Sequence, residues 1–214
     1  MAQVSPLESL EMPNSEAKRH EITLEEFERD LERSETKLEL LDGVVYAFAG
    51  GTHGHELLSR RIVRRLEDAV SSPCHAHGSD MAVQLVDMPT HCFPDASVSC
   101  ESIDLDTEKL VAPKLVVEVV SRGSVKRDYH RKKLAYQLIP SVEEYLIVDS
   151  CKVLVTLYRR FPTDKSSWFE YTARSGDGVI LASVNLEISI DDLYAGLGKL
   201  DEGGRVNRRR LKRR

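Results

Sequence analysis

Long apolar runs are missing from the sequence, and so is a secretion signal. No run approaches the ~20 consecutive apolar residues that a membrane helix requires. The stretch Met1-Ala-Gln-Val-Ser-Pro has neither the basic flank nor the apolar core of a signal peptide. Internal repeats are also missing, as are low-complexity tracts outside the C-terminal tail. These absences argue against membrane, exported and repeat proteins and predict a cytoplasmic location.

Cysteine is scarce, with only Cys74, Cys92, Cys100 and Cys151. In the expected compartment, reduced thiols are favoured over disulfides. Cys74 and His77 have a spacing that suits tetrahedral zinc. The second half of such a site would be the adjacent pair His91-Cys92, whose side chains point to opposite sides of a strand. Ordinary strand-end residues are therefore favoured over a zinc site.

The amino-acid composition is typical of a single soluble domain. The 214 residues are 41% hydrophobic and 30% charged, enough to bury a sizeable core. The net charge is −5, but the last ten residues carry seven positive side chains and no acid, which leaves −12 for the rest. This tail, with Arg208, Arg209 and Arg210, either binds phosphate backbones by counterion release or is a solvated, disordered end; the second interpretation is favoured.

Periodicity and turn signals predict helices and strands in alternation. Thr23 followed by Glu26 forms a capping box ahead of an amphipathic helix. Two short strands are expected on either side of Asp42-Gly43, a strong two-residue hairpin signal. An apolar stripe predicts a second helix over about residues 53–70, with arginines that face solvent or nucleic acid, and solvent is favoured. Residues 81–86 and 95–100 are predicted strands, and the stretch between them is a predicted loop.

The most apolar strands lie in the second half of the chain. Leu115–Val120 is the most continuously β-branched run and predicts a strand buried on both faces; the acidic residues 101–113 before it predict a loop. Residues 127–138 predict a helix on which Asp128, Lys132 and Tyr136 share one face. Further strands are expected at 144–149, 153–158 and 168–172, and a short helix at 191–197. The predicted fold is mixed α/β or α+β with one central sheet.

Glu118 is the residue that most needs an explanation, because a buried carboxylate is costly unless it is paired, protonated or metal-bound. Asp95 begins a neighbouring predicted strand, and the two acids could converge on Mg²⁺ with the Val119 carbonyl as a third ligand. The ion would polarise a phosphodiester and lower the pKa of its bound water, and Lys132 could orient that water. The simpler interpretation is an ion pair of Glu118 with Lys132 or an arginine and no metal. Spacing alone slightly favours the ion pair.

The order of the motifs resembles a known family. The motifs are Pro94-Asp95, Leu115-Val-Val-Glu118, Asp128-x-x-x-Lys132-x-x-x-Tyr136 and Val142-Glu-Glu-Tyr145. In this order they are similar to the bacterial Uma-type restriction-endonuclease family, within the PD-(D/E)XK nuclease superfamily. The resemblance extends upstream through Glu39-Leu-Leu-Asp-Gly43 and Ala49-Gly-Gly-Thr-x-x-His55 and covers about residues 22–196.

The resemblance implies a restriction-endonuclease-like fold, with a central mixed sheet flanked by helices. It also implies an endonuclease that uses Mg²⁺ or Mn²⁺ to hydrolyse phosphodiester bonds, with DNA as the expected substrate. Asp95 and Glu118 match the family's metal-binding acids. The superfamily's usual lysine would stand at position 120, where this chain has Val120, and Lys132 from the following helix matches the family's replacement.

Glu39, His55 and Tyr136 are then expected to support the site. We expect a nuclease domain at residues 22–197, a mobile leader at 1–21 and a basic tail at 198–214. The alternative function is a catalytically inactive nuclease-fold module that binds nucleic acid or a protein partner, which the acidic body mildly favours. A solute-binding or structural role without nucleic acid is a third interpretation. No membrane partner is expected, and a homodimer is expected only by analogy with nucleases that pair to cut both strands.

Overall fold

The computed structural model describes residues 21–47, 51–85, 88–102, 104–121 and 127–198, with the backbone alone for 127–129. The expected leader up to residue 20 lies outside these ranges, as does the expected tail from residue 199 onward with Arg208, Arg209 and Arg210. In the described part of the chain, no helix is both long and apolar enough to cross a membrane.

The first third of the fold follows its local sequence signals closely. Helix α1 (Leu24–Arg33) begins at a complete capping box, in which Thr23 Oγ1 accepts from the Glu26 amide and the Thr23 amide donates to the Glu26 carboxylate. Strands β1 (Leu38–Leu41) and β2 (Val44–Ala47) form the expected hairpin. Its turn residues Asp42 and Gly43 have φ of 53° and 72°, the left-handed pair that a tight hairpin turn requires.

Helix α2 (His53–Ala69) follows, close to the predicted 53–70, and starts at Thr52, whose hydroxyl accepts from the His55 amide. The remaining elements, in chain order, are β3 (His75–Gly78), β4 (Ala82–Leu85), β5 (Thr90–Cys92), β6 (Ala96–Ser99), β7 (Lys109–Leu110), β8 (Leu115–Val120), a π-helix (Arg127–Lys132), α3 (Lys133–Leu138), β9 (Glu144–Asp149), β10 (Val155–Arg160), β11 (Trp168–Ala173), β12 (Gly178–Leu181), a 3-10 helix (Ala182–Val184), β13 (Leu186–Ser189) and α4 (Ile190–Tyr194).

The central sheet has six strands in the order β11-β10-β9-β8-β6-β3. It is mixed, because β8 and β9 run parallel while the other neighbours are antiparallel. A second sheet has the order β2-β1-β5-β4-β7, and β12 pairs with β13. The expected fold class, a mixed α and β fold with a central mixed sheet flanked by helices, is therefore confirmed, and the structure adds two smaller sheets.

The central sheet is buried on both faces, as the apolar sequence of β8 predicts. On one face, Val117 and Val119 pack in a cluster with Leu58, Ile62 and Leu66 of α2. On the other face, Val116 and Val120 pack in a cluster with residues of the five-stranded sheet and with Tyr136 of α3. Glu118 of the candidate site points to this second side, where the two sheets and α3 meet.

Several elements depart from the sequence-based expectations. Both predicted loops contain short strands, because Thr90–Cys92 forms β5 and Lys109–Leu110 forms β7, each paired within the five-stranded sheet. Strands β3, β12 and β13 have no counterpart among the predicted elements. The helix expected at 127–138 is present, but its first six residues form a π-helix. These differences reflect pairing partners and helix widths that a local sequence window does not contain.

The expectation of reduced cysteines is wrong for one pair. Cys74 and Cys100 form a disulfide. Strand pairing explains it: β3 and β6 are in a register that sets His75 against Ser99, so Cys74 falls opposite Cys100. Bonded in this way, Cys74 cannot serve as a thiolate ligand beside His77, which removes the zinc alternative.

Candidate active site

A buried lysine connects two glutamates from different sheets. Lys132 Nζ lies 2.8 Å from Glu118 Oε1 and 2.8 Å from Glu39 Oε1. Glu118 belongs to β8 of the six-stranded sheet and Glu39 to β1 of the five-stranded sheet. The Lys132 side chain is only 2% exposed, and the two acids are 5% and 1% exposed. A charge-assisted contact at this depth is short, strong and weakly screened by water.

Tyr136, one turn after Lys132, completes this cluster. Its hydroxyl donates to Glu118 Oε1 over 2.9 Å, so Lys132 and Tyr136 reach the same carboxylate oxygen from successive turns. Burial, and next the nearby negative charge of Glu118, raise the pKa of Tyr136 well above its usual value of 10.0. The hydroxyl therefore keeps its proton at neutral pH and remains a donor to Glu118.

The position of Lys132 follows from the backbone of two elements. Along β8, Glu118 alternates with Val117 and Val119 and so points to the face that α3 covers. Lys132 is the last residue of the π-helix and comes directly before α3. Val120, on the same face as Glu118, is fully buried in the apolar cluster. The lysine is thus brought to Glu118 from the facing helix, and an apolar residue occupies the strand position.

Asp95 has a separate set of partners. Its Oδ1 accepts from Ser59 Oγ at 3.0 Å and lies 3.3 Å from His55 Nε2, and both partners belong to α2. Its Oδ2 accepts from the Val119 amide at 2.7 Å. Asp95 is 6% exposed, so these contacts are largely shielded from solvent.

His55 is held close to Asp95 by the start of α2. It lies in the first turn of the helix, after Gly51 and Thr52. A Cβ atom at Gly51 would come within 2.8 Å of His55 Nδ1. The glycine therefore gives the imidazole the room that this position needs.

Asp95 and Glu118 are neighbours across two strands. The pairing of β6 with β8 sets Ala96 against Val117, so Asp95 falls beside Glu118 one residue beyond the last pair. The hydrogen bond from Val119 to Asp95 Oδ2 spans the same junction. The Asp95 carboxylate contacts α2, while the Glu118 carboxylate contacts Lys132 and Tyr136, so the site is built from two halves that meet at the β6–β8 junction.

This donor set fits a hard divalent cation. Carboxylate oxygens are the ligands that Mg²⁺ prefers, and Mg²⁺ usually takes one or two of them and completes its shell with water and substrate oxygens. Across the described ranges, no three His, Cys, Asp or Glu side chains are close enough to form a complete metal site by themselves. Asp95 and Glu118 are carboxylates of the kind that this pattern uses, so the described residues offer a pair of acids rather than a cluster of three or more ligands.

Sequence reasoning missed Ser59 and assigned Val119 another role. The structure shows a donor to Asp95 in Ser59, four residues after His55 on the same face of α2; that helical spacing was the available signal. For Val119, the contact to Asp95 is made by the amide rather than by the carbonyl that the sequence suggested. Among the arginines of α2, Arg60 is largely exposed and pairs with Glu56, whereas Arg61 donates to the Leu193 carbonyl.

Comparison with protein families identifies one that spans most of the chain. The Uma2 family, described as "Putative restriction endonuclease", matches residues 24–191. These bounds agree closely with the range of about 22–196 over which the motifs resemble that family.

Individual proteins are also similar to this chain. An uncharacterized protein of Synechocystis sp., slr1290, is 31% identical over 175 residues, which cover 81% of this chain and 91% of that protein. A second Synechocystis protein, sll1609, is 25% identical over 143 residues, 65% of this chain and 81% of that protein. The crystal structure of a protein from Anabaena variabilis, titled a putative nuclease belonging to DUF820, superposes with a TM-score of 0.61 at 20% identity, covering 82% of this chain and 99% of that one. At this identity the superposition shows a shared fold.

Proposed function

The chain belongs to the Uma2 family, and on that premise we propose that it is a metal-dependent endonuclease that hydrolyses phosphodiester bonds of DNA. One observation carries the proposal: an ammonium group, Lys132 Nζ, lies 2.8 Å from the buried carboxylate of Glu118, and a second buried carboxylate, Asp95, directly precedes the neighbouring strand. Two acids and a lysine are the groups that the PD-(D/E)XK chemistry needs. We also propose a cytoplasmic location. A homodimer is proposed by analogy with nucleases that pair to cut both strands, and size-exclusion chromatography would test it.

Each residue of the site has a role in this proposal. Asp95 and Glu118 would hold Mg²⁺ or Mn²⁺, and the bound ion would supply a water of lowered pKa together with charge stabilisation for the phosphate. Lys132 would place a positive charge beside Glu118, where it would stabilise the negative charge that develops on the phosphate. Tyr136 fixes the Glu118 carboxylate, and Glu39 fixes the Lys132 ammonium.

A cleavage assay tests this function. Supercoiled plasmid, linear duplex and single-stranded DNA would be incubated with the purified protein in Mg²⁺, in Mn²⁺ and in EDTA. We expect nicking or cutting with either metal and none in EDTA. Asp95→Asn and Glu118→Gln keep the shape of each side chain, and we expect each to lower the rate at least 100-fold, about 3 kcal/mol of transition-state stabilisation.

The matched control is Asp106→Asn, which removes the charge of an exposed aspartate in the turn before β7. This variant should cut at the wild-type rate. If Asp95→Asn and Asp106→Asn both cut as fast as the wild type, the cleavage comes from a contaminating nuclease and the proposal is wrong.

A second function, a catalytically inactive module that binds nucleic acid, has its own support. The charged groups of the site already have partners within the protein, since Lys132 bridges two glutamates and Asp95 accepts from Ser59 and Val119. Such a network can stabilise a fold without reacting. Titration calorimetry separates the two functions: an endonuclease should bind Mn²⁺ and lose that binding in Asp95→Asn, whereas an inactive module should bind DNA in a salt-dependent way and bind no metal.

A further inference from the structure

The Asp95 carboxylate is held asymmetrically. On the α2 side, Oδ1 contacts both Ser59 Oγ at 3.0 Å and His55 Nε2 at 3.3 Å. On the β8 side, Oδ2 accepts a hydrogen bond from the Val119 amide at 2.7 Å. An ionised carboxylate has about four acceptor positions, two on each oxygen. Among the described residues, the contacts with α2 are made by Oδ1 and the contact with β8 uses one acceptor position of Oδ2.

Two acceptors lie within hydrogen-bond distance of the Ser59 hydroxyl. Its Oγ is 3.0 Å from the His55 carbonyl oxygen and 3.0 Å from Asp95 Oδ1, but a hydroxyl carries one proton. The His55 carbonyl already lies within α2, where the amide four residues later is its regular partner. A carboxylate oxygen is a stronger acceptor than a backbone carbonyl oxygen. The proton is therefore directed at Asp95.

We propose that Ser59 is a positioning residue that restricts Asp95 to one metal-binding oxygen and thereby makes the site select Mg²⁺ over Ca²⁺. With Oδ1 in contact with Ser59 and His55 of α2, Asp95 offers Oδ2, the oxygen that faces the Val119 amide of β8. Mg²⁺ requires near-octahedral coordination with single oxygens, whereas Ca²⁺ has a larger, flexible shell and accepts both oxygens of one carboxylate. This inference rests on the proposed function, because it assigns a metal ligand role to Asp95.

Titration calorimetry of the full, metal-stripped chain with Mg²⁺ alone and with Ca²⁺ alone tests the inference. Ser59→Ala removes the donor, and we expect Mg²⁺ affinity to fall about tenfold, the size of effect typical for partners of metal-binding carboxylates. Ca²⁺ affinity should stay the same or rise, so the selectivity ratio moves by about tenfold or more. Ser59→Thr keeps the hydroxyl and should restore the wild-type ratio. Ser59→Cys keeps the volume with only a weak donor and should behave like alanine.

Ser97→Ala is the matched control, because Ser97 is a fully buried serine two residues after Asp95 whose hydroxyl has no partner in the described part of the chain. It should bind both ions as the wild type does. Far-UV circular dichroism checks that each variant is folded. If Ser59→Ala does not fold, the metal affinities of Ser59→Cys test the inference instead.

Three results would overturn the inference. A Ser59→Ala chain that binds Mg²⁺ as the wild type does would show that the hydroxyl has no influence. Equal losses for both ions would show a general structural role without selection. A wild-type chain that binds neither ion would overturn this inference and the proposed function together, whereas the first two results leave the proposed function intact.

Discussion

Replacing Lys132 by methionine tests the physical reasoning about the site most directly. Methionine keeps the length and apolar stem of the side chain and removes its charge. Lys132 lies between Glu39 and Glu118, at 2.8 Å from each, and so joins the two sheets across their interface. Without the ammonium, two carboxylates that are 1% and 5% exposed lose their shared cation.

The expected cost is large because the pair is buried. Removing one partner of a buried ion pair typically destabilises a protein by about 3–5 kcal/mol, since the other charge is left in a poorly solvated position. An exposed pair would cost only about 0–1 kcal/mol. For a domain of this size, the buried estimate corresponds to a fall in Tm of roughly 6–20 °C.

Urea denaturation followed by far-UV circular dichroism at pH 7 measures the loss. Lys133→Met is the matched control: it is the next residue, half-buried, and its ammonium lies 4.7 Å from the Tyr158 ring centroid, a contact worth about 0.5–1 kcal/mol. Adding Glu39→Gln and Glu118→Gln to Lys132→Met should recover part of the stability, because neutral amides cost less to bury than carboxylates.

Two results would refute this reasoning. A loss below about 1 kcal/mol for Lys132→Met would mean that the ion pair behaves as if exposed to water. A triple variant that is less stable than Lys132→Met would mean that the negative charges are not the source of the cost.

Four further predictions concern His91, Tyr136 and Arg160. Burial, with Lys109 as a second cause, lowers the pKa of His91 to about 4. Because histidine in the unfolded chain is protonated below about pH 6.5, the free energy of unfolding should fall by about 3 kcal/mol between pH 6.5 and 4. Urea denaturation of His91→Leu should show no such fall. Tyr136→Phe loses a hydrogen bond to a carboxylate and should cost about 1.5–3 kcal/mol. The raised pKa of Tyr136 also means that wild-type stability should decline above about pH 10, where only the unfolded chain ionises this tyrosine, and the phenylalanine variant should decline less. Arg160 donates to the carbonyls of Val142, Ile139 and Lys165, so Arg160→Met should lose about 3 kcal/mol in the same urea assay, whereas Arg64→Met, on an exposed side of α2, should lose less than about 0.5 kcal/mol.

The elements that the sequence predicts well are those with local causes. The capping box at Thr23, the Asp42-Gly43 turn and the apolar run of β8 each specify a structure within a few residues of chain, and the structure has all three. The family assignment succeeds for a different reason. The order and spacing of several weak motifs is informative, and the matched range of residues 24–191 follows it.

The elements that the sequence does not predict depend on partners far along the chain. Strand β5 has three residues and exists because it pairs with both β1 and β4. The disulfide has the same origin, since the expected compartment argues for thiols while the register of β3 against β6 brings Cys74 and Cys100 together. Composition and local pattern contain no information about register, so neither feature could be foreseen.

The candidate site combines both kinds of information. Lys132 and Tyr136 are four residues apart, which predicted a shared helix face, and both contact Glu118. The resemblance placed Glu39 near the site, but its direct bridge to Lys132 depends on how the five-stranded sheet packs against β8, which the sequence does not specify. The contact of Ser59 with Asp95 likewise depends on where α2 crosses the start of β6.

Moving the lysine from the strand to the helix has a physical consequence. A lysine at position 120 would have its stem in the apolar cluster that Val120 now fills, and its geometry would depend on β8 alone. Lys132 instead approaches from the end of a π-helix, a wider turn that is frequent at functional sites, and its ammonium is held by glutamates of two sheets. The charge beside Glu118 is therefore coupled to the packing of the sheets. A substitution that loosens the contact between β1 and the π-helix should disturb Lys132 as effectively as a change next to Glu118.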